Sequence, residues 1–442
     1  MTSSTFRDVQ RALPVSGQPK AWSPVAIATL VVVVATVVGS AGCDKLPTAS
    51  ELINGKKKET PPPPKVASTP VETAPVAPPP KKAPEPPKKT PQEVIAQFNA
   101  TPPQLRSDAQ LGELARMPEG IDQFTEMNLN GSGVTDAGMA VLPKFERMEK
   151  LSIDGCQYTN DALANVAKMK NLTSLSMLGG AVKEQGSDKG IGYIKEMHQL
   201  TSLSVERAKF SMTGFSSIGE MVWLESLNVS GTPFADEQLK ALSALTNLKD
   251  LNISRTAVTD AGFAYLRPFR ELEVLNISGL SSTYATFHGP GLKELGRRGG
   301  LPKLRVLGMY NNPNLNVAAY EALLLFKRSL ENLDVGDAGI DDFRFINAVA
   351  PLGKLEVLLV HRNPNLTDGG MVALPKLKKL KRLYFSENPG ITDRSLPQMA
   401  KLKSLESLSI DKTSCTEGGV RQLKKRLKNC DISFNGTKVE LQ

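Results

Sequence analysis

The sequence predicts an α/β solenoid with an inner parallel sheet and an outer layer of short helices, and three observations predict it. A phrase of leucine, two residues, leucine, one residue and an aliphatic recurs about a dozen times between Phe124 and Cys430, at a spacing near 24 to 26. A second phrase, threonine, aspartate, any residue and glycine, follows it in several copies. The copies at the two ends are degenerate, as the ends of a stacked array must be. A unit this short cannot bury its own apolar face, so neighbours must share one continuous core.

The middle leucines of the first phrase are Met127, Leu151, Leu175, Leu203, Leu227, Leu251, Leu275, Leu307, Leu333, Leu358, Leu383 and Leu408, closing on a degenerate Cys430. In Leu248 to Ile253 the apolar residues alternate, which marks a strand with one face inward. Corresponding strands then pair in parallel. After the strand, Thr259-Asp260-Ala261-Gly262-Phe263 starts a helix, and the same phrase stands at Thr135, Thr367 and Thr392. A threonine hydroxyl there accepts an orphan N–H, and the acid complements the positive end of the helix dipole. A calcium-binding ladder of acids would need glycine-rich nonapeptide spacing, which is absent. Basic residues such as Lys144, Arg270, Lys354 and Lys401 close the helices, where the dipole favours a cation.

These strands, turns and helix starts resemble leucine-rich repeat proteins, particularly the cysteine-containing or ribonuclease-inhibitor-like type with its "I-T-D-x-G-L" segment. The resemblance covers roughly residues 105 to 442. It departs from that type at the turn, where Thr232, Thr256, Asn312, Asn363, Asn388 and Thr413 stand and only Cys156 supplies the cysteine. The resemblance implies a right-handed horseshoe that binds other macromolecules.

A different composition precedes the repeats. Thr60 to Pro91 holds 13 prolines, five lysines and two glutamates with no aromatic residue, too little apolar surface to order itself. Held extended by its prolines, the stretch from Leu46 to Thr90 would reach about 140 Å. Before it, Val25 to Val38 is a run of mostly valine and alanine behind Arg7, Arg11 and Lys20, the length of a signal-peptide core. Gly39-Ser40-Ala41-Gly42-Cys43 follows and is similar to the lipobox of bacterial lipoproteins, with serine where an aliphatic is preferred; the similarity implies lipid attachment at Cys43. The expected organisation is a signal peptide or membrane anchor over 1–43, a disordered proline-rich linker over 44–104, and a capped repeat domain over 105–442. The expected location is the extracytoplasmic face of a bacterial membrane, by lipid or by a single uncleaved span.

Of the remaining cysteines, Cys415 and Cys430 are expected to face the core, as buried free thiols or as a disulfide. With only His198, His288 and His361, no Cys and His set has metal spacing, and no cofactor is expected. Charge is unevenly spread. Lys376 to Lys428 carries 14 basic against 5 acidic residues, or +9. Leu105 to Pro375 carries 27 against 31, or −4. An anionic surface or acidic polymer suits the basic end better than nucleic acid, because its basic residues are mostly helix-end lysines rather than a groove interleaved with aromatics and an exported array would not meet nucleic acid.

Stacking the repeats in register lists the outward residues of the sheet. Early rows are serine and asparagine, whereas later ones hold Val306, Tyr310, Asp334, Val357, Leu359, His361, Arg362, Arg382 and Tyr384. Binding surfaces favour tyrosine and arginine beside exposed apolar groups. The longest step, 32 residues from Leu275 to Leu307, inserts a loop with Tyr284, Phe287 and His288, expected to overhang Tyr310. No nucleophile, base and orienter converge, so catalysis is not expected. The function read from the sequence is a membrane-anchored extracytoplasmic module that binds protein through its concave face. The alternative is a structural tether of the envelope without a discrete ligand site.

Overall fold

Twelve repeats contribute a strand of three residues centred on an inward apolar residue, and the last contributes a strand of four. In the computed structural model, which describes residues 89–440 apart from 179–186 and 281–286, fourteen strands form one sheet in sequence order. They run from β1 (Glu126–Asn128) to β13 (Asp431–Phe434) in parallel, and β14 (Thr437–Lys438) closes the edge antiparallel. The register pairs leucine with leucine: Leu151 with Leu175, Leu251 with Leu275, Leu358 with Leu383. The fold is a leucine-rich repeat solenoid, with short α and 3-10 helices returning the chain between strands. The core runs unbroken from Val94 to Phe434.

Two expectations change at the ends. Leu408 pairs with Ile432, so the last repeat centres there and its step is 24; Cys430 is buried just before the strand. At the other end, Pro91–Ala100 is a helix inside the stretch expected to be linker, started by a capping box of Thr90 and Glu93. It buries Val94, Ile95 and Phe98, and the Phe98 ring meets Phe124 edge-on at 5.7 Å. Folded structure therefore begins about fourteen residues before position 105, because three apolar residues at helical spacing cover the first repeat. The signal segment, most of the linker, Cys43 and Tyr284 lie outside the described residues.

The Thr-Asp-x-Gly phrase joins repeats as well as capping helices. Thr259 Oγ1 accepts the N–H of Ala261 in its own repeat, while the Thr259 N–H and hydroxyl donate to the two carboxylate oxygens of Asp236 in the repeat before, at 2.8 and 2.6 Å. The same clasp joins Thr135 to Asp108, Thr159 to Asp136, Thr367 to Asp342, Thr392 to Asp368 and Thr416 to Asp393. In four of these six clasps glycine completes the phrase, and there a Cβ would crowd the carboxylate: one on Gly262 would stand 2.2 Å from Asp236 Oδ1, and one on Gly419 2.4 Å from Asp393 Oδ1, while Ala162 and Ser395 fill the place in the other two. Burial pushes the Asp368 carboxyl up, but the hydroxyls of Ser395 and Thr392 and the Thr392 N–H outweigh it and hold it below its usual range.

The turn after the strand carries a second link. Asn363 donates to the carbonyls of Val335 in the preceding repeat and Val360 in its own, and its Oδ1 accepts the N–H groups of Ala338 and Ile340. Asn312 and Asn388 also reach back, to Ile277 and Val360. Cys156 takes the same place early in the array and donates to the Leu129 carbonyl, whereas Thr232 and Thr256 bond within their own repeats, to Val229 and Ile253.

Replacing Gly262→Ala should force the Asp236 clasp open and, with charge-assisted hydrogen bonds lost, lower stability by about 2 kcal/mol. The urea midpoint reads this. Gly133→Ala, which meets nothing within 4 Å, should leave the midpoint unmoved.

Candidate functional site

Over the early strands the outward sheet face is held by its own small polar side chains. The Asn228, Asn252 and Asn276 carboxamides accept the N–H two residues on, at Ser230, Ser254 and Ser278. Such a face satisfies its own polar groups and offers little to a partner. The pattern changes at β8 (Val306–Gly308), β9 (Asn332–Asp334), β10 (Val357–Leu359) and β11 (Arg382–Tyr384).

The centre of the change is Gly336. It falls in the row that holds Tyr310 one repeat earlier and His361 one repeat later, three residues past each central leucine. With no side chain there, the His361 imidazole lies over the glycine: a Cβ on Gly336 would be 2.4 Å from His361 Cε1. The ring thereby crosses the gap and stacks on Tyr310, centroids 5.3 Å apart and planes 28° apart. Arg362 Nη1 donates to Tyr310 Oη at 3.3 Å, and Arg362 Nε stands 3.6 Å from Glu387, which also meets Lys412 at 3.4 Å. Arg362 sits at φ 59°, a left-handed turn position filled upstream by Gly155, Gly231 and Gly279 and also by Arg207, Arg255, Asn311 and Asp337. A side chain there costs about 1–2 kcal/mol of backbone energy.

Leu359 pairs in register with Tyr384, and Val357 with Arg382. Tyr310, Leu359, His361, Arg382 and Tyr384 are half-buried and Arg362 is exposed, so an apolar edge, two aromatic rings, an imidazole and two guanidinium groups share one surface. Burial raises the Tyr384 phenol above its usual range, against the lowering influence of Arg382. Beneath the cluster, Asp334 is buried and accepts the Gly336 N–H at 3.0 Å. Burial raises its carboxyl, partly offset by His361 and that N–H.

Several residues expected in the patch lie elsewhere. Phe287 is fully buried and stacks on Phe263, ring centroids 5.1 Å apart, so it plugs the core of the long repeat instead of overhanging Tyr310. His288 is exposed but stands where threonine stands in the clasp, its N–H donating to Asp260 Oδ2 at 2.9 Å. Val306 and Val357 point outward by register yet are 5% and 2% exposed, because strand neighbours about 4.8 Å apart cover them. With Asp334 they form the floor, and the accessible patch is Tyr310, Leu359, His361, Arg362, Arg382 and Tyr384. Gly336 and Glu387 escaped the sequence reading. Both were visible as a glycine between two large residues in one row and an acid next to an arginine row.

A ladder of charges along the strand starts also went unread. Lys249 meets Glu225 at 2.8 Å, Arg305 meets both Glu273 and Glu331 at 3.2 and 3.1 Å, and Lys381 meets Glu356 at 2.7 Å. Exposed pairs of this kind contribute little stability each, about 0–1 kcal/mol.

The class of protein defined by this fold and face is a leucine-rich repeat solenoid with a mixed aromatic and basic patch on its sheet. No family model matches the sequence, and no curated protein matches it. Among solved structures it is similar to an internalin from Listeria monocytogenes, at 20% identity and a TM-score of 0.45, over 72% of this chain and 88% of that one.

Among the described residues no group of His, Cys, Asp and Glu is disposed to hold a metal ion, and no helix is long and apolar enough to cross a membrane. Cys156, Cys415 and Cys430 are buried free thiols. Burial raises all three, Cys415 to about 11 and Cys430 to about 12. A thiol raised above its unfolded value stays protonated in the fold, so its contribution to stability is present below the unfolded pKa and fades as pH passes through 11 to 12. At about pH 8 the folded chain should leave these three unmodified by iodoacetamide, and denatured chain should be alkylated at each; peptide mapping separates the sites.

Proposed function

We propose that the chain is a protein-binding module held at the extracytoplasmic face of a bacterial membrane, capturing a protein partner on its concave sheet face over β8 to β11. One observation carries the binding reading: His361 folded across Gly336 onto Tyr310, beside Arg362, Leu359 and Tyr384, on a sheet whose earlier strands face outward mainly with serine and asparagine. Tyrosine and arginine around an accessible leucine are the residue types that concentrate binding energy. The positions are also preorganised, since stacking and the Arg362–Tyr310 hydrogen bond fix their rotamers before a partner arrives. The sheet offers no convergent nucleophile and base, and the reading is of capture, not catalysis.

The anchoring half of the proposal is supported by sequence, through the apolar run Val25 to Val38 and the lipobox-like Gly42-Cys43. The Thr-Asp-x-Gly clasp and Cys156 at a turn support placement near the ribonuclease-inhibitor-like type.

The Leu359→Asp and Tyr384→Asp double variant should abolish recovery of the partner in a crosslinking affinity purification from the native host, with circular dichroism unchanged. Gly336→Ala, which displaces His361 without a change of charge, should weaken recovery by about thirtyfold if it removes one hot spot of about 2 kcal/mol. Recovery equal to wild type in both would reject the patch. For the anchor, mass spectrometry of the mature protein should find an N-terminal diacylated or triacylated Cys43 peptide; a tryptic peptide running intact through Gly42-Cys43 would reject processing there.

A further inference from the structure

The edge of the array where helices return to strands is electrically uneven, and helix dipoles do not account for it. In repeats ten to thirteen the helices end at Lys376, Met399 and Arg426, and the loops beyond them carry Lys378, Lys379, Lys403 and Lys428, all exposed. A cation at a helix end is favoured by the dipole, but the effect fades within the last turn, and these four lie past it. The segments 374–380, 400–405 and 424–430 contain no acid, and among the described residues no ion pair engages the four lysines. The neighbouring row is different: Lys381, two residues on, is held by Glu356. The same segment carries Glu146, Glu196, Glu220 and Glu271 in four earlier repeats, while 166–172, 324–330 and 350–355, with fewer cations, also lack an acid. Like charges have thus been gathered in successive loops at about 4.8 Å per strand, with no ion pair among the described residues to neutralise them.

We propose that this edge is a binding site for a linear polyanion, a chain of phosphate or carboxylate charges lying along the three loops that join the last four repeats. One loop per repeat presents the cations in single file, which suits an extended polymer segment. A flat anionic bilayer laid on that edge would also meet Glu146, Glu196, Glu220 and Glu271, whereas a polymer can follow the acid-free loops toward the C-terminal end alone, which favours the polymer. The loops carry no aromatic residue, which disfavours stacking of nucleic acid bases. This site is separate from the Tyr310–Tyr384 patch and stands or falls independently of it.

The test uses the full chain in uncharged detergent, titrated with fluorescently labelled polyphosphate and, separately, poly-L-glutamate, and in a third arm with anionic phospholipid vesicles. Both polymers should bind at about 50 mM salt and weaken steeply as salt rises, the log–log slope falling by about 0.7 for each phosphate contacted. The variant Lys378→Glu, Lys379→Glu, Lys403→Glu, Lys428→Glu should lose at least about tenfold in affinity, and the charge-neutral set with Gln at the same positions should lose less but in the same direction. Lys168→Glu with Lys170→Glu, in an early repeat, should change nothing. Absence of binding to both polymers overturns the proposal, as does equal loss in the early-repeat variant or binding of vesicles alone.

Discussion

The structure depends on one hydrogen-bonded unit, the clasp in which an aspartate of one repeat receives the N–H and hydroxyl of the threonine that starts the next repeat's helix. Hydrophobic burial holds the leucines together but is indifferent to small slips along the stack. The clasp is not, since both donors must meet one carboxylate. Together with the asparagine turns at Asn312, Asn363 and Asn388 it ties successive repeats, on both sides of the leucine row where Asn363 accompanies Thr367 and Asn388 accompanies Thr392. The outward rows of the sheet are therefore true rows, and a side chain on one repeat has defined neighbours on the repeats beside it.

That precision is what makes a patch out of scattered residues. Tyr310 and His361 are 51 positions apart and belong to different repeats, yet they touch because Gly336 keeps their shared row open. The run of clasps is also interrupted nearby. Asp260 meets His288 in place of a threonine, the next helix is capped by Asn316 from its own repeat, and Asp341 caps its own helix through Arg344 N–H before Asp342 resumes the pattern. The array gives up its regular link over the same repeats in which the sheet face becomes irregular.

The repeat, its strand centres and the capping threonines were legible in the sequence because each is a local pattern repeated many times. Phe287 was misread because an aromatic in an insertion looks alike whether it points out or in; only the Phe263 ring beside it decides. Val357 was misread for a related reason: register says which way a side chain points, while burial depends on the size of the flanking side chains. Cys430 was placed two residues early because the last strand lacks its leucine, and only the pairing of Leu408 with Ile432 shows the true centre. The helix over Pro91–Ala100 was hidden by the proline-rich composition that leads into it. What the clasping aspartate does lay beyond any single copy, since its partner is some 23 residues downstream, inside the next repeat.

The Asp260 carboxylate, which takes the N–H groups of His288, Gly289 and Gly291 at 2.9 Å each, defines where the chain re-enters the stack after the long insertion. Re-entry is thereby uncoupled from the length of what precedes it. Because the far end is pinned through backbone N–H groups, residues ahead of Phe287 can be added or lost while every later repeat keeps its position, whereas Phe287, buried on Phe263, and Gly289 and Gly291, where a Cβ would clash, are held to their identity. This junction is the place where the array can change its sequence most freely at least risk to its register, and where lineages carrying this protein would be expected to diverge first.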